Sequence, residues 1–457
     1  MRGAILTRDA AAGRSVRAPG QSRVWRPGPR THQLIAAGTV LAFGSINLFG
    51  QLSVLLFFAG TAAVVAFNPI ANARDLIKFS PLLLIPIVAM ISTIWSDAPQ
   101  RTMRAALELL ITFAAAILIC RNLRPDRLLL AMLIAFAATI MTVLPLAPGS
   151  LAGHYPLVAW WGSKNSVGFA GYMVVALSLC VMFDRAQPRV ARIASLILIP
   201  PGLLVAYLAQ SGGSISTIAL TVLIFPPLAL LAAMKPPLRV MVIIFVLLLF
   251  GIACFFLPDI NAAVADFRVN VLKKDATLTG RTYLWDFASR LATARPWLGY
   301  GYGAFWRQGN IDAEGLWRWG GIASRNGFNF HNAFVEMRID MGLIGMGLLL
   351  AYCAIIGLAA LVRQAVAPSV SLAGFIALVA VIYVHSYVED GIVAPFSLAT
   401  VIWVATFVYA VTPASADGLT PIVPAGEPST GGPIRTPRRA RSPLLGRGLD
   451  RRWRGAG

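Results

Sequence analysis

Charge is scarce in this chain. Asp, Glu, Lys and Arg make up 13% of its 457 residues against 57% apolar ones, and the mean hydropathy is +0.72. So little polar surface excludes a soluble globular fold. Cysteine is equally sparse: Cys120, Cys180, Cys254 and Cys353 lie far apart, within or at the ends of apolar runs, with no CxxC or CxxH spacing. That excludes a disulfide framework and a thiolate metal site, so neither a metal nor another cofactor is expected. No internal repeat supports the inverted-repeat plan of secondary transporters. Acidic residues number 19 against 39 Lys and Arg, a net charge of +20. The excess invites nucleic acid as a partner, but no recognition motif accompanies it, so nucleic-acid binding is rejected.

What the chain has is apolar runs. A bilayer crossing takes about 20 residues, and twelve candidates are centred near residues 42, 60, 87, 112, 137, 175, 200, 223, 247, 348, 378 and 402. The predicted fold class is an all-α integral membrane protein of about 12 transmembrane helices with one large outer loop. Lys and Arg concentrate in alternate short loops: Arg74 and Lys78; Arg121, Arg124 and Arg127; Arg185, Arg189 and Arg192; Lys235 and Arg239; Arg363. Positive residues remain on the cytoplasmic side, which puts both termini there and turns loop 258–331 outward. The expected organisation is a disordered basic tail (1–32), a membrane domain (33–412) containing that loop, and a second disordered basic tail (413–457). The tails suit contact with anionic lipid headgroups. The N-terminal tail has no cleavage pattern of a signal peptide and is expected to be retained.

The outer loop holds nine basic and six acidic residues and five of the eleven tryptophans, among them Trp285 and Trp306. Within it, RTYLWDFASRLATAR (281–295) repeats apolar residues at helical spacing, which predicts an amphipathic helix lying along the membrane. Arginine's planar fork suits phosphate oxygens, aromatic faces suit sugar rings, and a His or carboxylate suits deprotonation of a hydroxyl. Arg281, His331 and Glu336 are therefore the candidate catalytic residues. Candidate contacts to diphosphate or sugar are Lys164, Asn165, Arg101, Arg104, Trp285, Trp306 and Asn332. The span entered at Asn332 is read as one helix over 332–362, with Asn332, Glu336 and Asp340 on one face. Each residue also has a structural reading: His331 as a helix cap, Glu336, Arg338 and Asp340 as an internal ion-pair cluster, Arg281 as a lipid anchor, and the tryptophans as an interfacial belt. Lys164 and Asn165 have one as a helix start, and Arg101 and Arg104 have a structural reading too.

WSDAPQRTMR (95–104), WWGSKNSVG (160–168), GRTYLW (280–285), PWLGYGYGAFW (296–306) and HNAFVEMRIDMGLIG (331–345) follow one another in an order that resembles the O-antigen ligase and polysaccharide polymerase superfamily, especially its exopolysaccharide-production branch. The resemblance covers most of residues 33–412. It implies a GT-C-like architecture in the bacterial inner membrane, with the large loop periplasmic, and metal-independent inverting glycosyl transfer from undecaprenyl diphosphate. Polymerisation of lipid-linked repeat units is the first reading, and ligation to lipid A core or another acceptor is the alternative. A flippase of the same lipid-linked glycans is the reading from another class. The implied partners are the lipid-linked oligosaccharide donor, a glycan or lipid-linked acceptor and membrane lipids, with chain-length and export proteins as further candidates. By motif, Arg281 resembles a diphosphate contact, His331 the residue near acceptor or leaving group, and Lys164–Asn165 the Lys-Asn pair of the polymerase-like branch. One departure stands out: SGGSIST (211–217) has no cation where family members often carry one. Lys164, Arg101 or a loop arginine supplies that charge, or the donor is held differently.

Overall fold

The computed structural model describes residues 29–44, 46–159, 163–256, 280–325 and 328–412. The expectations for most of the two tails, for Trp160 and Trp161, for Arg268, Lys273 and Lys274, and for the side chain of Cys254 lie outside the described residues. Within them no β-strand occurs. In chain order the main helices are α1 (Pro29–Gly44), α2 (Gln51–Phe67), α3 (Pro69–Lys78), α4 (Leu84–Ile91), α5 (Pro99–Asn122), α6 (Pro125–Val143) and α7 (Lys164–Phe183). They continue as α8 (Arg189–Leu208), α9 (Gly212–Leu230), α10 (Pro236–Phe255), α11 (Arg281–Ala294), α12 (Ile311–Trp319), α13 (Ala333–Val366), α14 (Val370–His385) and α15 (Leu398–Val411).

All twelve sequence-read centres fall inside helices, yet length supports fewer crossings. Among the described residues six helices are long and apolar enough to span a bilayer, or up to seven if α2 and α3, bent by 106°, count as one. The remainder are short apolar helices such as α14, with 16 residues, and α15, with 14. At 1.5 Å per residue these reach about 21–24 Å against a hydrocarbon slab of about 30 Å. The outward face of α8 leaves Val190, Ile193, Leu196 and Ile197 exposed. A continuous apolar surface of that kind is what lipid solvates and water does not.

Small residues let the interior close up. A Cβ on Gly171 of α7 would lie 2.7 Å from the Ala206 nitrogen and 2.8 Å from the Gly202 oxygen of α8, so these helices meet backbone to backbone. Trp403 of α15 is fully buried, and its indole N–H donates to the Tyr383 hydroxyl at 3.0 Å. Pro200 and Pro201 sit inside α8, and Pro226 and Pro227 inside α9.

The segment from α11 to the start of α13 forms a cap with its own core of Leu284, Ala288, Phe305, Trp306, Trp317 and Phe330. The apolar face of α11 therefore packs inside this cap, which replaces the expected helix lying along the membrane. A second correction concerns the single helix read over 332–362: α13 is broken at Met341–Gly342, where the backbone leaves helical geometry. The cause is a strap of chain, 295–303, wedged into the gap. The amides of Tyr300 and Gly301 donate to the carbonyls of Ile339 and Asp340 (both 2.9 Å), and those of Leu343 and Ile344 donate to Pro296 and Trp297 (2.8 and 3.3 Å). The strap thus supplies partners to groups that the interruption would leave bare.

Gly342 has φ 64° and ψ −158°, a region open essentially to glycine, and a Cβ there would lie 2.3 Å from the Trp297 backbone. Gly342→Ala is therefore expected to destabilise the fold by about 2–6 kcal/mol, the summed cost of backbone strain and overpacking. Thermal melting of the detergent-solubilised variant checks it; an unchanged midpoint would count against the wedge.

Candidate functional site

Four stretches distant in sequence converge at the end of the bundle under the cap, and Glu389 joins three of them. It lies just past α14, where its amide continues the helix by donating to the His385 carbonyl at 2.9 Å. Its Oε1 accepts from Arg281 Nη2 at 3.0 Å and from Asn165 Nδ2 at 3.0 Å, and its Oε2 meets His331 Nδ1 at 2.9 Å. The fourth stretch is the Ser-rich turn before α9. Ser211 Oγ donates to Asn165 Oδ1 at 3.4 Å, Ser214 Oγ donates to Ser211 Oγ at 3.1 Å, and Gly213 abuts His385. The turn that lacks a cation thus takes part through hydroxyls.

Local structure fixes each member. Arg281 opens α11 directly after Gly280, whose φ of 83° turns the chain into the helix. Asn165 sits in the first turn of α7, where its amide bonds to the capping Ser163 hydroxyl. His331 has a left-handed φ of 50° and its amide donates to Asn329 Oδ1 at 2.8 Å. Two residues on, the Ala333 amide donates to the Ser386 carbonyl at 2.9 Å, which anchors the start of α13 beside Glu389.

Burial pushes the Glu389 carboxyl up, but the His331 hydrogen bond and the charges of His331, Arg281 and His385 outweigh it and hold it below the ordinary carboxylate value. An ionised carboxylate only accepts, so Nδ1 of His331 is the donor in this bond, and in the neutral imidazole that leaves Nε2 as the acceptor. Burial pushes neighbouring Asp390 up to about 6, with the Gly391 amide opposing the shift and the Glu389 charge adding to it.

The other predicted site residues have different placements. Asn332 caps α13: its buried side-chain oxygen accepts from the amides of Phe334 and Val335 at 3.0 and 3.1 Å. Glu336 accepts from Trp306 Nε1 at 2.8 Å and from the Phe330 amide at 3.0 Å, which makes both residues braces of the cap. Trp306 is only 8% exposed, so its faces are taken up by neighbouring rings. Trp285 is already partnered: it donates at 2.9 Å to the carbonyl of Phe330, the residue before His331, and meets Tyr387 edge-on. Arg104 pairs with Glu108 at 3.0 Å on an exposed helix face. The ion-pair cluster read for Glu336, Arg338 and Asp340 does not form among the described residues. Lys164 is exposed at the start of α7 with no partner among the described residues, adjoining Asn165.

Arg101, in α5, holds the strap from outside. Its Nε donates to the Gly303 carbonyl at 2.8 Å, Trp95 Nε1 donates to Leu298 at 2.9 Å, and Asp97 pairs with Arg295 at 2.8 Å. Arg101→Ala removes one exposed hydrogen bond worth about 1 kcal/mol, so its turnover is expected to stay within about fivefold of wild type. A loss of a hundredfold in a transfer assay would put Arg101 on the substrate instead.

The fold and this cluster define a multi-pass membrane protein whose cation, imidazole and carboxylate meet at one end of its helices. Residues 194–350 match the family described as O-antigen ligase. Over 319 residues the chain is 29% identical to the exopolysaccharide production protein ExoQ of Rhizobium meliloti (strain 1021), covering 68% of this chain and 72% of that protein. Both similarities support the resemblance to the O-antigen ligase and polysaccharide polymerase superfamily and its exopolysaccharide-production branch.

Proposed function

We propose that this protein joins undecaprenyl-diphosphate-linked repeat units of an exopolysaccharide or related surface glycan at the periplasmic face of the bacterial inner membrane, by metal-independent inverting glycosyl transfer. The reading includes twelve crossings with both tails cytoplasmic. What supports it is the way one carboxylate, Glu389, gathers His331, Arg281 and Asn165.

In the reaction, the acceptor hydroxyl attacks the anomeric carbon of the donor sugar from the face opposite the diphosphate. The new carbon–oxygen bond forms as the bond to phosphate breaks. The hydroxyl proton passes to Nε2 of His331, which Glu389 orients through Nδ1. Charge gathers on the departing lipid diphosphate, where Arg281 and Lys164 stabilise it.

The test uses the full-length protein in lipid nanodiscs with synthetic undecaprenyl-diphosphate oligosaccharide. Elongated product together with released lipid diphosphate supports the proposal, and neither appearing overturns it. Ligation is the second reading, favoured by the family description over residues 194–350. Deletion strains separate the two: loss of a polymerase leaves single units on a surface-glycan gel, whereas loss of a ligase leaves polymer unattached.

A further inference from the structure

The indoles read as sugar contacts, Trp285 and Trp306, are held by the cap. Two other rings are open. Tyr283 and Trp319 stack with centroids 4.7 Å apart and planes 31° apart, and both remain largely exposed, at 42% and 47%. The two rings are tilted against each other, and much of their surface faces solvent. The pair is fixed from below: a Cβ on Gly280 would lie 2.6 Å from the Trp319 ring, so the indole rests on a glycine backbone. Phe287, one turn along α11, extends the row beside Tyr283 at 6.3 Å, and Arg290 lies over its ring.

We infer that Tyr283 and Trp319 form a glycan subsite that holds the acceptor's sugar rings beside the reacting bond. The inference rests on the proposed transfer reaction and adds to it the element that recognises the glycan. Exposed aromatic pairs in contact are costly to leave in water and mark binding surfaces. Continuity with the site identifies the occupant. Gly280 supports the indole and is followed directly by Arg281, so an acceptor glycan whose hydroxyl reaches the donor's anomeric carbon lies beside this face. Pyranose rings present flat C–H surfaces of matching size, while their hydroxyls stay in solvent. An interfacial lipid contact is the competing occupant, and the test separates the two.

The experiment uses the full-length protein in nanodiscs, with donor extracted from the host's lipid-linked pool. The acceptor is the lipid-free oligosaccharide cut from that pool by mild acid. Trp319→Ala and the Tyr283→Ala/Trp319→Ala pair should raise the acceptor KM about tenfold or more, with kcat within about twofold, and Trp319→Phe should recover most of the loss. Transfer with an unchanged acceptor KM overturns the subsite and leaves the reaction standing. If the wild type performs no transfer, the reaction proposal falls. Equilibrium dialysis of the same oligosaccharide then still decides the subsite: weaker binding by the pair variant supports it, and equal binding overturns it. Lower nanodisc incorporation of the pair variant with equal oligosaccharide binding would assign the rings to lipid.

Discussion

Glu389→Gln lowers glycan transfer by about 10²–10⁴-fold, the range expected when an acid–base group and the residue that orients it are uncoupled. Membrane insertion and elution from a sizing column stay as in wild type. The substitution keeps size and hydrogen-bonding reach but removes the charge that selects the His331 tautomer and balances Arg281. The amide nitrogen of Gln can also donate to Nδ1 and turn the proton pattern around. The variant is expected to lose kcat rather than donor affinity, and single-turnover kinetics reads that directly. Activity within tenfold of wild type would remove Glu389 from the mechanism. Stability offers an independent check. The carboxyl is held below its ordinary value in the folded protein, so its contribution is fully present above the unfolded value of about 4.3. It disappears as pH falls through the lower folded value. The melting difference between wild type and Glu389→Gln should therefore be constant near neutrality and shrink in strong acid.

Arg281→Ala is expected to cost about 10²–10³-fold in kcat, the usual loss when one preorganised donor to a developing oxyanion is removed. Arg281→Lys should recover little of it. Lysine keeps the charge but lacks the planar fork that binds Glu389 and phosphate oxygens together. Release of undecaprenyl diphosphate, followed by chromatography, measures both variants. If lysine restores full rate, the requirement is for a point charge alone and Lys164 becomes the better phosphate ligand. Full activity of the alanine variant would reduce Arg281 to a brace of the cap.

The helices were legible because apolar runs announce themselves, and every expected centre lies in one. Their lengths were less so, since short helices such as α14 and α15 merge with flanking apolar loops when only hydropathy is read. Arg281, His331 and Asn165 were legible as rare polar residues in aromatic surroundings. Glu389 does not stand out in sequence because it lies outside the aromatic- and arginine-rich loop, in the short link between α14 and α15. The signal was present in HSYVED (385–390), where a histidine and two acids interrupt an apolar stretch in a chain with 19 acidic residues. A gathered guanidinium and imidazole require a counter-ion, and this run offers one. Glu336 stands out in sequence as a carboxylate just after His331 and Trp306 as a ring suited to sugar, while their mutual hydrogen bond, which spans 30 positions, is visible only in the structure. The break in α13 was invisible for a similar reason: GLIGMG reads as ordinary helix packing until Trp297 is found against Gly342.

The wedge in α13 carries a consequence for biogenesis. In hydrocarbon, a bare carbonyl or amide has no substitute partner, and at this point the missing rungs come from residues made some forty positions earlier. The upper two turns of α13 can therefore settle only after the cap has folded and has laid its strap in place. His331, which precedes those turns, is seated last. A chain whose cap misfolds would then carry an unassembled centre.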